Sequence, residues 1–275
     1  MSGGAVSPRF GGVARLFSEP EALRLSRSHA AVIGLGGVGS WAAEALARTG
    51  VGRMTLIDLD DVCETNINRQ IHALSETVGQ PKGEVLARRL SAINPQGRFE
   101  VVHSFFNRHT AEGLLEQGYD VVLDAIDGVG SKAWLIGSCV TKGIPVVTCG
   151  GAGGRGDPRM IETVDLAWTR DDPLLAFVRK KLRRWFDFPG DLRTPFGVPC
   201  VYSREPIVWP AGCEVEPSDD PFASAPARGC DSGLGAVAYV TGTFGFFAAH
   251  AMVETLLGEG GTVVYGKPWK KGVEG

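Results

Sequence analysis

Gly34, Gly36 and Gly39 stand at the spacing G-x-G-x-x-G in AVIGLGGVGSWAAEAL, between a short apolar run and a helical pattern. In such a turn the first glycine allows the tight bend, the second lets a phosphate approach the backbone, and the third lets the helix pack on the sheet. The helix start then offers N–H groups and about half a positive charge to an anion. Asp58 follows Gly39 by 19 residues, where a ribose-binding carboxylate belongs. The spacing specifies a nucleotide and leaves its identity open.

The residues after Asp58 narrow the choice. Asp60 comes two positions on, Asn66, Asn68, Arg69 and Gln70 follow in NINRQ, then Lys82, and later Asp124 and Asp127 in VVLDAIDG. Ligands of doubly wound sheets bind at the carboxyl ends of strands, and Asp127 lies just past one such end, so this set can converge on the glycine turn. A nicotinamide site calls for an apolar slot and a proton donor. Arginine, lysine and carboxylates suit a triphosphate with Mg²⁺ instead, because cations neutralise phosphoryl oxygens and a carboxylate holds the metal.

Positioning these residues requires alternating strands and helices. Apolar, β-rich runs at 30–33, 54–57, 101–102, 120–123 and 144–148 predict strands, and 38–48, 83–93 and 131–141 predict helices. Thr49-Gly50 and Asn94-Pro95 close the first two helices. The pattern predicts an α/β, Rossmann-like, doubly wound and mostly parallel sheet. Three parts follow: an N-terminal arm or helix at 1–28, an ATP-binding unit at 29–150, and an extension for substrate binding and dimerisation at 151–275.

After residue 150 the chain changes character. CGGAGGRGDPR (149–159) is a glycine-rich turn whose carbonyls at 150–154 are candidates to hold a monovalent cation. RMIETV reads as a strand, and 173–185 as an amphipathic helix with an apolar stripe of Leu175, Val178, Leu182 and Trp185. Residues 187–230 are rich in proline, glycine and serine, and 211–230 has the composition of a mobile loop.

The net charge of −3 and pI near 6.0 give no global attraction to nucleic acid, so such a partner needs a local patch. VRKKLRRWF (178–186) supplies one: Arg179 and Arg183 fall on one helix face with Lys180 and Arg184 beside them, a strip able to follow RNA phosphates. KPWKK (267–271) is a weaker second strip. The six cysteines, Cys63, Cys139, Cys149, Cys200, Cys213 and Cys230, form no C-x-x-C pair, which argues against a tetrathiolate zinc site. The first 25 residues lack a signal-peptide core, and the expectation is a cytoplasmic protein with free thiols. Residues 233–253 carry no fixed charge over about the length of a membrane span. Interior glycines, His250 and the absence of Lys or Arg before Lys267 favour a buried or subunit-interface helix, with membrane association as the alternative.

GLGGVGSWAAEALARTGVGRMTLID, DLDDVCETNINRQ, VGQPKGEVLARRLSAINP and VLDAID resemble the superfamily of ubiquitin-activating enzymes and their bacterial ThiF and MoeB relatives, which adenylate sulfur-carrier proteins. RFGGVARLF, WAAEALARTG, DDVCETNINRQIHAL, TCGGAGG, CVYSREP and TGTFGF are similar in particular to its branch of tRNA threonylcarbamoyladenosine dehydratases, over about residues 9–255.

The resemblance implies an enzyme that uses ATP to activate the threonyl carboxylate of a modified adenosine beside the tRNA anticodon, so that loss of water closes a hydantoin ring. It implies that Gly36, Gly37 and Gly39 line the phosphates beside Gly34, that Asp58 takes the ribose near Asp60, that Asn66, Arg69 and Lys82 contact phosphates, and that Asp127 binds Mg²⁺. An N-terminal arginine, Arg9 or Arg15, would come from the partner subunit of a homodimer; the sulfur-carrier branch has its arginine where this chain has Gly12. Cys230 matches a cysteine of the dehydratase branch, as structural residue or nucleophile, and a cysteine-desulfurase sulfur-acceptor system is a further implied partner. The paired zinc cysteines of the sulfur-carrier branch are missing. Adenylation of a ubiquitin-like sulfur carrier is therefore the alternative reading, and a non-catalytic NAD-binding scaffold a third.

Overall fold

Alternating strands and helices are what the chain builds. The computed structural model describes residues 6–191, 193–209 and 234–258. In chain order they form α1 (Gly11–Phe17), α2 (Glu19–Arg27), β1 (His29–Ile33), α3 (Gly37–Thr49), β2 (Arg53–Ile57), α4 (Lys82–Ile93), β3 (Arg98–Val102), α5 (Ala111–Leu115), β4 (Val121–Asp124), α6 (Val129–Thr141), β5 (Val146–Cys149), β6 (Ile161–Asp165), α7 (Pro173–Phe186), β7 (Pro199–Ser203) and α8 (Ala238–Leu257). Among the described residues the strands make one seven-stranded sheet in the order β3-β2-β1-β4-β5-β7-β6. Every pairing is parallel except β6 with β7. The order reverses between β1 and β4, and the carboxyl ends of those two strands frame the crevice where ligands of such sheets bind.

Side-chain alternation explains the layers. Ala30 and Val32 of β1 join Leu46, Leu86, Phe244 and Met252 on one face, under α3, α4 and α8. Ala31 and Ile33 join Leu135, Leu175 and Leu182 on the other, under α6 and α7. Both faces of the central strands are covered, as a parallel sheet requires. Gly50, in the left-handed region at φ 89°, ends α3 where Thr49-Gly50 predicts.

The helix expected from the uncharged run is α8. Val240, Phe244, Ala248 and Met252 are buried, and Gly245 lets it close on α3: a Cβ there would lie 2.6 Å from the Cβ of Trp41 and 2.8 Å from the Val38 carbonyl. α8 is long and apolar enough to cross a membrane, but two-thirds of that stretch is packed inside the protein, in line with a core helix.

Several elements depart from the sequence reading. β7 lies in the stretch read as proline- and glycine-rich loop; it is inserted between β5 and β6 and carries the sheet onward. Only tertiary pairing makes a strand of PCVYS, which is five residues long and begins with proline. The short α5 has no counterpart among the expected helices. Trp185 leaves the apolar stripe of α7: it is 39% exposed, while Phe186 packs over Gly137. Cys213, Cys230, the 211–230 loop and KPWKK lie outside the described residues.

Candidate nucleotide-binding site

The glycine turn between β1 and α3 is built as its spacing predicts. Gly34 has φ +90°, and a Cβ there would lie 2.7 Å from the Ala125 carbonyl. A Cβ at Gly39 would lie 1.9 Å from the Gly34 carbonyl, so only glycine fits there. Gly36 has open space around it, the approach a phosphate needs. No side chain caps the amino terminus of α3, which leaves its N–H groups to face a ligand.

Asp58 sits at the carboxyl end of β2 and is already tied to the turn. It accepts from the Leu35 N–H at 2.6 Å and the Asp60 N–H at 2.9 Å. Lys82 opens α4 and is buried to 6%; its Nζ reaches Asp60 Oδ2 at 2.9 Å. Asp60, expected among the nucleotide ligands, here faces the lysine.

Asn66, Asn68 and Arg69 lie on an irregular loop with a single 3-10 turn, Glu64–Asn66. Asn66 is 2% exposed, and its Oδ1 accepts from the Cys63 N–H at 3.1 Å, holding the loop from within. A short polar side chain that can bond its own turn does so in preference to facing outward. Arg69 Nη1 donates to the Thr65 carbonyl at 2.8 Å and to Asn68 Oδ1 at 3.0 Å. Its Cγ is 3.5 Å from where a Cβ of Gly37 would stand, so its stem lies on the start of α3.

Asp127 is exposed on the loop between β4 and α6. That loop is packed on the glycine turn through Ala125 and anchored below by Asp124, paired with a lysine not singled out in the sequence, Lys132. Asp124, at the end of β4, accepts from Lys132 Nζ at 2.8 Å and from Thr148 Oγ1 at 2.6 Å, and Oδ1 accepts from the Ile126 N–H. Both charged side chains are fully buried. Burial pushes the Asp124 carboxyl up, and Lys132 opposes that shift. The sequence clue to the pair is a lysine within the apolar helix VGSKAWLIGSC.

Arg9 and Arg15 lie far from this turn in their own chain. Phe10 covers the Gly50 end of α3, and Arg9 donates to the Ile93 carbonyl at the end of α4. Arg24 of α2 binds the Leu257 carbonyl at the end of α8. These contacts place the amino-terminal arm at the opposite end of α3 from the glycine turn.

The basic strip of α7 is divided by its surroundings. Arg179 is turned inward to the Thr169 hydroxyl, and Arg183 donates to the Pro189 carbonyl at 2.9 Å with its guanidinium over the Phe196 ring. Lys180 and Arg184 are exposed. The expectation of a four-residue strip is thus corrected to an exposed pair, because the chain after α7 folds back over the Arg183 face.

The turn at 150–154 is pinned by Asp172, which accepts from the Gly151 N–H at 2.9 Å, while the Gly154 carbonyl accepts from the Val208 N–H. Arg155 is buried in the same turn, 3.8 Å from Asp172. Cys63 is disulfide-bonded, a departure from the expected free thiols that nothing among the described residues explains. Cys139, Cys149 and Cys200 are free and buried. Burial pushes the Cys139 and Cys149 thiols up to about 12 and Cys200 well above the usual thiol value, which makes them poor nucleophiles. Among the described residues no cluster of three His, Cys, Asp or Glu side chains could hold a metal.

The ThiF family model matches residues 12–270. The tRNA threonylcarbamoyladenosine dehydratase of Escherichia coli is 48% identical over 246 residues, covering 89% of this chain and 92% of the relative. Its Haemophilus influenzae namesake is 43% identical over 252 residues, covering 90% and 93%. The E. coli molybdopterin-synthase adenylyltransferase is 36% identical over 132 residues, 48% of this chain and 52% of the relative. A crystal structure of the E. coli tRNA N6-threonylcarbamoyladenosine dehydratase in complex with ATP superposes with a TM-score of 0.81 at 44% identity, covering 92% of this chain and 96% of that one.

Proposed function

Because the chain belongs to the ThiF family, and on the geometry above, we propose that it is an ATP-dependent tRNA threonylcarbamoyladenosine dehydratase. The observation that carries this reading is likeness to the dehydratases along nearly the whole chain, whereas likeness to the sulfur-carrier adenylyltransferase covers under half of it. The residues described agree with it.

A carboxylate is a poor electrophile because its departing oxygen is a bad leaving group. Joining it to a nucleotide phosphate supplies a good one, and the nearby carbamoyl nitrogen then attacks within the same molecule at high effective concentration. The glycine turn and the start of α3 receive the phosphates, and Asp58 takes the ribose. Arg69, and Lys82 once it exchanges Asp60 for phosphate, stabilise the negative charge that builds as the phosphoryl bond breaks. Asp127 is exposed beside the turn and fits Mg²⁺, an ion usually held by one or two carboxylates together with substrate phosphates. Bound there, Mg²⁺ would neutralise phosphoryl oxygens. A monovalent cation finds less support at 150–154, where buried Arg155 already places a positive charge.

The other face of α8 supports a homodimer. Tyr239, Phe246, Phe247, His250 and Glu254 form its exposed side. The start of α8 lies beside Arg69 and its end beside Arg24, about 30 Å away at 1.5 Å per residue. Antiparallel pairing of two such helices would bring the partner's amino-terminal arm, with Arg9 and Arg15, toward this chain's glycine turn. Lys180 and Arg184 serve as the tRNA contacts of α7, and the cytoplasm, where tRNA is modified, is the proposed location.

The test is conversion of tRNA carrying linear threonylcarbamoyladenosine by the purified protein and ATP, followed by mass spectrometry of the nucleosides. The expected product is lighter by one water. Release of pyrophosphate only on addition of a sulfur-carrier protein would instead favour the adenylating alternative.

A further inference from the structure

We propose that Trp41 is a positioning residue for Arg69, acting through the arginine's backbone carbonyl; this rests on the reading that Arg69 meets the nucleotide phosphates. The loop that carries Arg69 has no regular structure to fix it beyond one 3-10 turn. Its position is set from outside. Trp41 Nε1 donates to the Arg69 carbonyl at 3.0 Å, and Thr241 Oγ1 lies 3.2 Å from the same oxygen, its one proton shared with the Ala238 and Val237 carbonyls at 3.3 and 3.4 Å. Asn68 Nδ2 adds a bond to the Ala236 carbonyl at 2.9 Å. Trp41 belongs to α3, the helix whose first turn faces the phosphates, and Thr241 to α8. The two contacts therefore tie the arginine's backbone to both.

The packing around the indole is specific to this task. Gly242 of α8 faces the ring, and a Cβ there would stand 3.6 Å from it; at Gly245 a Cβ would stand 2.6 Å from the Trp41 Cβ. Gly245 lets the backbones of α3 and α8 close on each other at Trp41, and the ring lies in ordinary contact with Gly242 while its N–H reaches the loop. Phe246 closes the other side edge-to-face, with ring centroids 6.0 Å apart. The indole is half-buried, and a tryptophan N–H drawn away from water usually finds a partner. Here that partner is the carbonyl of the residue whose guanidinium must be aimed. Displacing a reacting group by about 1 Å can cost about a hundredfold in rate.

The test replaces Trp41 with 3-benzothienylalanine, which keeps the ring shape and lacks the N–H, and with phenylalanine (Trp41→Phe), each in the wild type and in an Arg69→Ala background. The expected result is a loss of turnover of at least about tenfold in both single variants. KM for tRNA should stay the same and the melting temperature should fall by only a few degrees. In the Arg69→Ala background neither change should reduce turnover or ATP affinity further, because the group that Trp41 positions is gone. Wild-type turnover in the benzothienylalanine variant overturns the proposal, as does an equal loss in both backgrounds. If Arg69→Ala alone leaves turnover and ATP affinity intact, the phosphate assignment of Arg69 itself fails; that outcome is recognisable because it needs no change at Trp41.

Discussion

Lys82–Asp60 and Lys132–Asp124 are both lysine–aspartate pairs beside the glycine turn, with nearly equal separations of 2.9 and 2.8 Å. They differ in their access to water. Asp60 is 52% exposed, so Lys82 can leave it for another anion without stranding a bare charge. Asp124 and Lys132 are both fully buried, and neither can leave. On the proposed reading the first pair is a reserve of positive charge on which a phosphate can draw. The second is a fixed joint beneath the loop that carries Asp127. Equal geometry therefore does not mean equal function, because desolvation decides which pair can exchange partners.

The largest effects fall on turnover, where the exposed side of this comparison should dominate. Asp127→Ala is expected to abolish ATP-dependent dehydration while circular dichroism stays that of the wild type; retained turnover would remove Asp127 from the metal site. Lys82→Ala should lower kcat by about a hundred- to a thousandfold, the usual cost of losing one stabilising group. Its unfolding free energy should fall by less than that of Lys132→Met, because Asp60 is left in water and only the packing of the lysine stem is lost. A large loss of stability would break the distinction between the two pairs.

Lys132→Met should do the reverse. Removing one partner of a buried pair costs about 3–5 kcal/mol, read as a lower denaturant midpoint. Adding Asp124→Leu to Lys132→Met should recover most of that stability, since no charge is then left uncompensated. If the double variant is as unstable as the single one, packing and not charge sets the cost.

α7 repeats the contrast on a smaller scale. Lys180→Ala with Arg184→Ala should weaken tRNA binding and reduce its dependence on log salt by about two, one for each phosphate no longer neutralised. Arg183→Ala, by contrast, should cost stability first, because that side chain binds the Pro189 carbonyl and covers Phe196. An equal salt effect from Arg183→Ala would mean that the strip works as the sequence alone suggests.

Much of the site is legible in the sequence because it is written in local spacing. Gly34, Gly36 and Gly39 are fixed relative to one another by a few covalent bonds, so their roles follow from the turn itself. Arg69, Lys82 and Asp127 are legible as a set, since strand ends of a doubly wound sheet gather on one side. What stays hidden depends on packing between distant segments. Helical spacing puts Arg179 and Arg183 on one face of α7, but nothing in VRKKLRRWF says that Thr169 and Pro189 will meet them. The resemblance implies a phosphate contact for Asn66, and its capping bond to Cys63 emerges only once the loop closes. PCVYS becomes a strand through the edge of β5, where Thr148 pairs with Cys200 and Cys149 with Val201.

His72 is the third case that sharpens the comparison: a buried ionisable group with no hydrogen-bond partner among the described residues. It is 1% exposed, and neither ring nitrogen has a hydrogen bond. Burial, then the charges of Lys82 and Arg89, lower its pKa from 6.5 to about 4, so the folded protein holds it neutral. The unfolded chain binds a proton there below about pH 6.5 and the folded one does not, so stability rises with pH between about 4 and 6.5. At pH 5.5 the expected loss relative to neutral pH is about 1.4 kcal/mol, from one unit of pH below the unfolded value. In His72→Leu this part of the pH dependence should vanish in urea titrations at pH 5.5 and 7.5, whatever the substitution does to overall stability. An unchanged difference between the two pH values would mean that His72 gains a partner in solution, water included, and that the cationic wall around Lys82 is less dry than its burial indicates.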